Sequence, residues 1–257
     1  QPIRQYPEPA FWRAPVDNDF GNKMPTLAGV WRTAHVNRYV KKVTIGEKNE
    51  KGLSVRVDWV LSDIQVPYMM EYLIRDNGTI IVTGSIDLTG TKLPELPRFG
   101  MRMELHQPYE NLTYYGRGPL ENYIDRYSSS FIGRYENKVE NQFYWYIRPQ
   151  ETGNKTDVRW LTLLDSEGQG VRITGLQPVA FSALHFSPED LDPGLTRKLQ
   201  HTIDIVPQKN IFLHVDLRQR GLGGDNSWGM YPHNEYRLLD KKYTYSYMIE
   251  LVEKGSD

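Results

Sequence analysis

The sequence predicts an all-β chain, a large antiparallel β-sandwich, and three observations carry that reading. First, apolar and polar residues alternate at Leu53, Val55, Val57 and Trp59, and again at Phe99, Met101, Met103 and Leu105. The same alternation runs through Ile211, Leu213, Val215 and Leu217, and through Tyr243, Tyr245, Tyr247, Ile249 and Leu251. A two-residue period is the mark of a strand with one buried face. Second, glycine, asparagine and proline clusters separate these runs at short intervals. Third, no stretch keeps helical periodicity beyond about two turns, short of the three turns of a typical helix. The 17 tyrosines and 6 tryptophans point the same way, since aromatic side chains favour strands.

In chain order, residues 1–15 hold four prolines and read as an irregular stretch, with 1–10 a lead-in to the domain. Residues 43–45, 68–75, 79–87, 158–164, 171–174 and 179–186 are shorter strand candidates. Asn77-Gly78 between two of them predicts a hairpin with a type I′ turn, because both residues accept positive φ. Asp165-Ser166-Glu167-Gly168-Gln169-Gly170 is a longer turn of the same kind. The best short helix starts at Ser187 as N-cap, with Pro188 in the first position and Glu189 and Asp190 at the positive end of the dipole. No linker, low-complexity tract or repeat divides the chain, so residues 1–257 read as one domain.

The densest stretch is Gly221-Leu222-Gly223-Gly224-Asp225-Asn226-Ser227-Trp228-Gly229. Four glycines in nine positions predict a tight loop between two strands, with turns at positive φ. An indole among Asp, Asn and Ser suits a sugar, whose C–H face stacks while its hydroxyls hydrogen-bond. Trp228 therefore reads either as a sugar contact or as a plug for one end of the core.

Composition excludes several classes. Lys+Arg 31 against Asp+Glu 32 leaves a net charge of -1, so no basic field draws in nucleic acid or an anionic membrane. With no cysteine there is no disulfide framework, thiol nucleophile or thiolate metal site. No run of apolar residues is long enough for a membrane helix. Opening on Gln1-Pro2 rather than Met, the chain reads as a piece of a longer polypeptide.

Candidate chemistry is sparse. Asp17, Asn18 and Asp19 lack the glycine and glutamate of an EF-hand at the needed offsets, and read as an Asx-turn with Arg13 paired to an aspartate. Gly116-Arg117-Gly118 has neither the third glycine nor the helix of a nucleotide loop. Glu121 and Asp125, four apart, read as structural partners of Arg117 or Arg126. Glu151 is the nearest approach to a catalytic carboxylate, but an arginine partner would hold its pKa down instead of raising it for acid work. The six histidines show no zinc spacing, and His185 and His214 sit inside strand candidates. Asn77, Asn111 and Asn154 open N-x-Thr triplets that matter only in a eukaryotic secretory setting.

Five stretches, taken together and in order, add a resemblance: FWRAPVDND, YYGRGPLENYIDR, YIRPQETGNKTDVRWL, FSALHFSPEDLD and GLGGDNSWG. From Phe11 to about Glu250 the chain resembles the C-terminal domain of bacterial β-galactosidases of glycoside hydrolase family 2, also the small chain of two-subunit β-galactosidases. The resemblance implies a large antiparallel β-sandwich like galactose mutarotase. It implies that the nucleophile and acid–base glutamates lie in a separate TIM-barrel domain, that this chain carries no cofactor, and that magnesium and sodium are held by other domains. It also implies that the tryptophan of the GGD(D/N)SW loop, here Trp228, stands at the rim of the galactose pocket. Family domains carry further strands before FWRAP, so the sheet is expected to lack its first strands and expose an edge. The contacts of residues 229–233 stay unassigned.

The leading expectation is a non-catalytic domain that completes the galactose pocket of an enzyme hydrolysing terminal β-D-galactosyl residues. Its partners would be a lactose-like galactoside and the catalytic barrel of a homo-oligomeric parent, in bacterial cytoplasm or periplasm. A self-sufficient carbohydrate-binding module using Trp228 and the tyrosine-rich face is the alternative. A mutarotase-like epimerase is another, needing an acid–base pair that the sequence does not assign.

Overall fold

A computed structural model describes residues 1–192, 194, 200–226 and 228–254. Its strands are β1 (Ile3–Ala10), β2 (Arg38–Ile45), β3 (Leu53–Leu61), β4 (Val66–Ile74), β5 (Ile80–Asp87) and β6 (Arg98–Leu105). They continue as β7 (Asn111–Gly118), β8 (Phe131–Lys138), β9 (Lys155–Leu164), β10 (Gly170–Leu184), β11 (Ile211–Gln219) and β12 (Lys242–Val252). Among the described residues three short α-helices join them, α1 (Asp17–Gly21), α2 (Met24–Leu27) and α3 (Pro188–Leu191), beside a few single 3-10 turns. The strands form one antiparallel sheet in the order β1-β6-β11-β10-β12-β5-β4-β3-β2, with β9, β7 and β8 branching from β10.

The branch point has a local cause. β10 pairs with β12 through Gly170 to Gly175 and with β11 through Ala180 to Leu184, while β9 runs along its other edge. Between the halves the register against β9 jumps from Thr174↔Trp160 to Val179↔Val158, so β10 holds extra residues there. A side chain on Gly175 would press into the Gln177 carbonyl and lie 3.2 Å from Val179 Cγ1. The bend lets one strand serve two partners, where its interruption in sequence had predicted two separate strands.

The sheet curls over a single main core. Tyr68 of β4 and Phe99 of β6 lie far apart in strand order, yet their rings meet at 6.4 Å, and Phe99 meets Tyr243 of β12 at 5.2 Å. Tyr243, Tyr245 and Tyr247 are all buried there, and the Tyr245 hydroxyl donates to the Val215 carbonyl at 2.7 Å. The tyrosine-rich face is therefore core, and it offers no sugar a surface.

Three local expectations change. Residues 3–10 are an edge strand, not an irregular lead-in. Among the described residues β1 pairs with β6 alone, so Pro7 and Pro9 forfeit no ladder bond on the outer side, and register shifts absorb the misfit. One strand of the sheet therefore does precede FWRAP, and as the end of the strand order it is itself an edge. The Asn77-Gly78 hairpin forms, but its loop has three residues. Arg75 N donates to the Thr79 carbonyl at 2.9 Å, and only Gly78 takes positive φ, +82°. That is a type I turn closed by a left-handed glycine, and the Asp165 turn repeats it with Gly168 at +81°. α3 begins as expected, the Ser187 hydroxyl accepting from Asp190 N at 3.1 Å.

Candidate functional site

Residues 220–241 join β11 to β12 and carry the glycine stretch. Gly221 N donates to the Tyr236 carbonyl at 2.7 Å, closing the base of the loop. Asp125 reaches across from the segment after β7 and accepts from Leu222 N at 2.7 Å and Gly223 N at 2.9 Å. Glycine is needed for close approach more than for handedness. A side chain at Gly221 would come 2.9 Å from Asp125 Cγ, and one at Gly224 within 2.6 and 2.7 Å of the Met230 and Tyr231 carbonyls. Of the four, Gly229 alone has positive φ, +129°, and its backbone packs on the carbonyl of Gly21 in α1. The expectation of several positive-φ turns is corrected accordingly. Trp228 N donates to Asn226 Oδ1 at 2.9 Å in an Asx-turn, and the indole is 89% exposed. Trp228 is thus no core plug; Ser227 lies outside the described residues.

Beneath the loop sits a buried ion network. Arg13 Nη2 donates to both oxygens of Asp19 at 2.9 and 3.0 Å and to the Gly221 carbonyl at 3.1 Å, and Nη1 donates to the Arg220 carbonyl. Asp19 also accepts from Arg220 Nη1 at 2.8 Å and from Val16 N at 3.0 Å, the latter bond starting α1. Glu95 bridges Arg220 to Arg237, at 3.2 and 2.8 Å, and the two guanidinium groups flank the Tyr231 ring. The Arg13–aspartate pair expected from FWRAPVDND exists. Arg220 and Glu95, missed in the sequence, complete it; 207 residues separate Arg13 from Arg220, and neither shows a local motif.

The remaining candidates find structural places. Glu121 pairs with Arg126 and accepts from Gly153 N at 2.7 Å. The segment holding it is not a helix, so Glu121 and Asp125 share no helical face, and Asp125 serves the loop rather than an arginine. Glu151 is buried and accepts from Arg98 Nη2 at 2.9 Å and Gln219 Nε2 at 3.1 Å. His185 lies just past β10 and contacts Glu110 at 3.1 Å. His214, in β11, is buried beside Arg98. Asn154 is buried and donates to the Asn122 carbonyl, unlike a glycan acceptor. Among the described residues no three His, Asp or Glu side chains are placed to hold a metal.

All five motif stretches are tied together by these contacts. Trp12 Nε1 donates to Asp192 at 2.8 Å, Glu151 N to the Ala14 carbonyl at 3.1 Å, and Asn122 N to the Asn154 carbonyl at 2.8 Å. Beside the loop lies an open cleft of about 340 Å³, with Asn18, Asp125, Arg126, Gly223, Asp225 and His233 on its walls. His233 pairs with Asp225 at 2.8 Å, and that hydrogen bond raises the imidazole pKa from its ordinary value. The cleft therefore carries groups of both charges.

The sequence profile of the family described as "Beta galactosidase small chain" matches residues 1–249. The chain belongs to that family. This small-chain domain is 34% identical over 243 residues to a β-galactosidase of Priestia megaterium, covering 94% of this chain and 23% of that protein. It is likewise 34% identical over 255 residues to one of Streptococcus thermophilus, covering 96% and 24%. The small-chain domain thus spans about a quarter of the length of the curated relatives it matches. Among solved structures, a galactose mutarotase related enzyme from Lactobacillus acidophilus superposes with a TM-score of 0.42 at 6% identity, over 84% of this chain and 73% of that one. The GalM/aldose epimerase homologue from C. elegans gives 0.41 at 10% identity, over 83% and 70%.

In this small-chain domain, Gly224→Ala is expected to displace residues 230–231 and with them Trp228, because the added methyl meets carbonyls instead of a yielding side chain. Since the sheet is untouched, the stability loss should stay near 1–3 kcal/mol. Tryptophan fluorescence and limited proteolysis at the loop would report the change.

Proposed function

We propose that the chain is the non-catalytic C-terminal part of a β-galactosidase of glycoside hydrolase family 2, an enzyme that removes terminal β-D-galactosyl residues. The bond-breaking carboxylates lie outside this chain, and magnesium and sodium, where used, are bound there too. This part closes one wall of the galactose pocket with the indole of Trp228. The observation that carries the reading is an almost fully exposed tryptophan on a loop whose base is firmly braced. With the base of the loop held by Asp125 and by the Arg13–Asp19–Arg220 network, the backbone there has little freedom left to lose when a sugar stacks on the indole. The family membership and the β-galactosidase relatives support the choice of substrate.

In the assembled parent enzyme, Trp228→Ala is expected to lower kcat/KM on lactose by about 1–3 kcal/mol, roughly 5- to 150-fold, the worth of a buried aromatic face. Thermal stability should hardly move, because the side chain touches little of its own domain. Unchanged kinetics would remove Trp228 from the pocket. The isolated chain should leave nitrophenyl galactoside intact, and turnover by it would place catalytic groups here after all.

A further inference from the structure

The loop that carries Trp228 is closed by two rungs. At its base, Gly221 N donates to the Tyr236 carbonyl at 2.7 Å. Further out, His233 Nε2 and Asp225 Oδ1 meet at 2.8 Å, a bond between side chains on opposite arms. The outer rung roughly halves the span left free around the tryptophan. Fifteen positions separate Gly221 from Tyr236, and eight separate Asp225 from His233. Trp228 lies inside the shorter span with its indole 89% exposed, so packing does little to fix where the ring points. The Gly229 backbone rests on the Gly21 carbonyl of α1, which anchors one point of the tip and leaves the spacing of the arms to the rung.

Each half of the outer rung is itself held. The His233 imidazole stacks on the Tyr236 ring, with centroids 6.4 Å apart and planes 20° from parallel. Tyr236 is also the acceptor of the inner rung, so the two rungs are coupled through that one residue. On the other arm Asp225 follows Gly224, where a side chain would meet the Met230 and Tyr231 carbonyls. The arms approach closely enough for the bond only because that position is glycine. Both Asp225 and His233 line the open cleft beside the loop.

We infer that the Asp225–His233 pair is a clasp across the loop that sets where the Trp228 indole stands for a sugar to stack on it. The inference rests on the pocket role proposed for Trp228, and it makes Asp225 and His233 positioning residues that act through the indole. An exposed pair is worth a factor of about 2 to 5. Halving the free span of a loop is worth roughly threefold, the same scale. Such a factor biases the placement of one ring and leaves the fold untouched.

The test is a double-mutant cycle in the assembled parent enzyme. His233→Ala is expected to lower kcat/KM on lactose about 2- to 5-fold. In the Trp228→Ala background the same change should cost nothing further, since its effect runs through the indole. His233→Gln, whose amide can still donate to Asp225, should recover part of the loss. Amide hydrogen exchange at Trp228 and Gly229 should quicken in His233→Ala by a similar factor. His233 is exposed, so neither substitution should disturb folding. An equal loss in both backgrounds would show that His233 acts on something other than Trp228, and would overturn the inference. Unchanged exchange in His233→Ala would overturn it too. Unchanged kinetics in His233→Ala, beside a clear loss in Trp228→Ala, would remove the clasp and leave the pocket reading standing. Unchanged kinetics in Trp228→Ala would remove the pocket reading and the inference with it.

Discussion

Replacing Asp19 with alanine is expected to cost the fold about 3–5 kcal/mol, a melting temperature lower by roughly 10 °C. The carboxylate is fully buried and accepts from two guanidinium groups and a backbone N–H. Without it, among the described residues, Arg13 loses its one charged partner and Arg220 keeps Glu95, so cationic groups are left buried with too little counter-charge. Breaking such a pair from one side is far worse than never having built it. Asp19→Asn should recover little, since the amide keeps the shape and not the charge. Because Arg13 also holds the carbonyls of Arg220 and Gly221, the Trp228 loop should loosen before the sheet melts. Equilibrium urea unfolding, with loop proteolysis alongside, checks both parts. A loss below about 1 kcal/mol, the level of an exposed pair, would mean that the network is not what holds the loop.

Arg98→Met is expected to cost a similar 3–5 kcal/mol, with a pH dependence that identifies the cause. Arg98 sits between Glu151 at 2.9 Å and Asp216 at 3.1 Å, all three buried. Burial pushes the Asp216 carboxyl up to about 7, Arg98 pulls it down, and Glu151 adds to the rise. A carboxyl raised in the folded state binds a proton that the unfolded chain has released. Its contribution is therefore most favourable below the unfolded pKa, near 4, and stability is lost as pH rises from there toward 7. In the unmutated chain urea unfolding should show that decline, and Asp216→Asn should flatten it. In Arg98→Met the attraction that limits the rise is gone, so the decline should steepen and continue above pH 7. A flat profile in the unmutated chain would show Asp216 charged throughout.

Much of this molecule was legible in its sequence. The alternating runs in β3, β6, β11 and β12 are strands whose apolar residues share one face, and a two-residue period is local information. Ser187 announced α3 because a cap needs only its own four residues. The edge strand β1 was hidden by prolines, whose missing N–H groups matter only if a neighbour is there to be paired, which only the sheet reveals. β7 and β8 escaped notice for a related reason. β8 is largely exposed on both faces, and β7 is broken by glycines packed beneath Val158 and Tyr135.

The candidate site divides along the same line. The glycine-rich stretch and its exposed tryptophan could be singled out as a sequence feature, and the pairing of Arg13 with an aspartate was readable over six residues. By itself the sequence determined an all-β fold, the absence of thiol chemistry and the place of Trp228 on a loop, since these depend on residue type and short-range order. Only the tertiary structure decided that Asp125 clamps that loop, that Arg220 and Glu95 complete the buried ion network, and that the tyrosine-rich face is core. Each of those depends on a charge or a ring meeting its counterpart across a curled sheet, and chain order carries no record of which distant residues the curl brings within hydrogen-bonding distance.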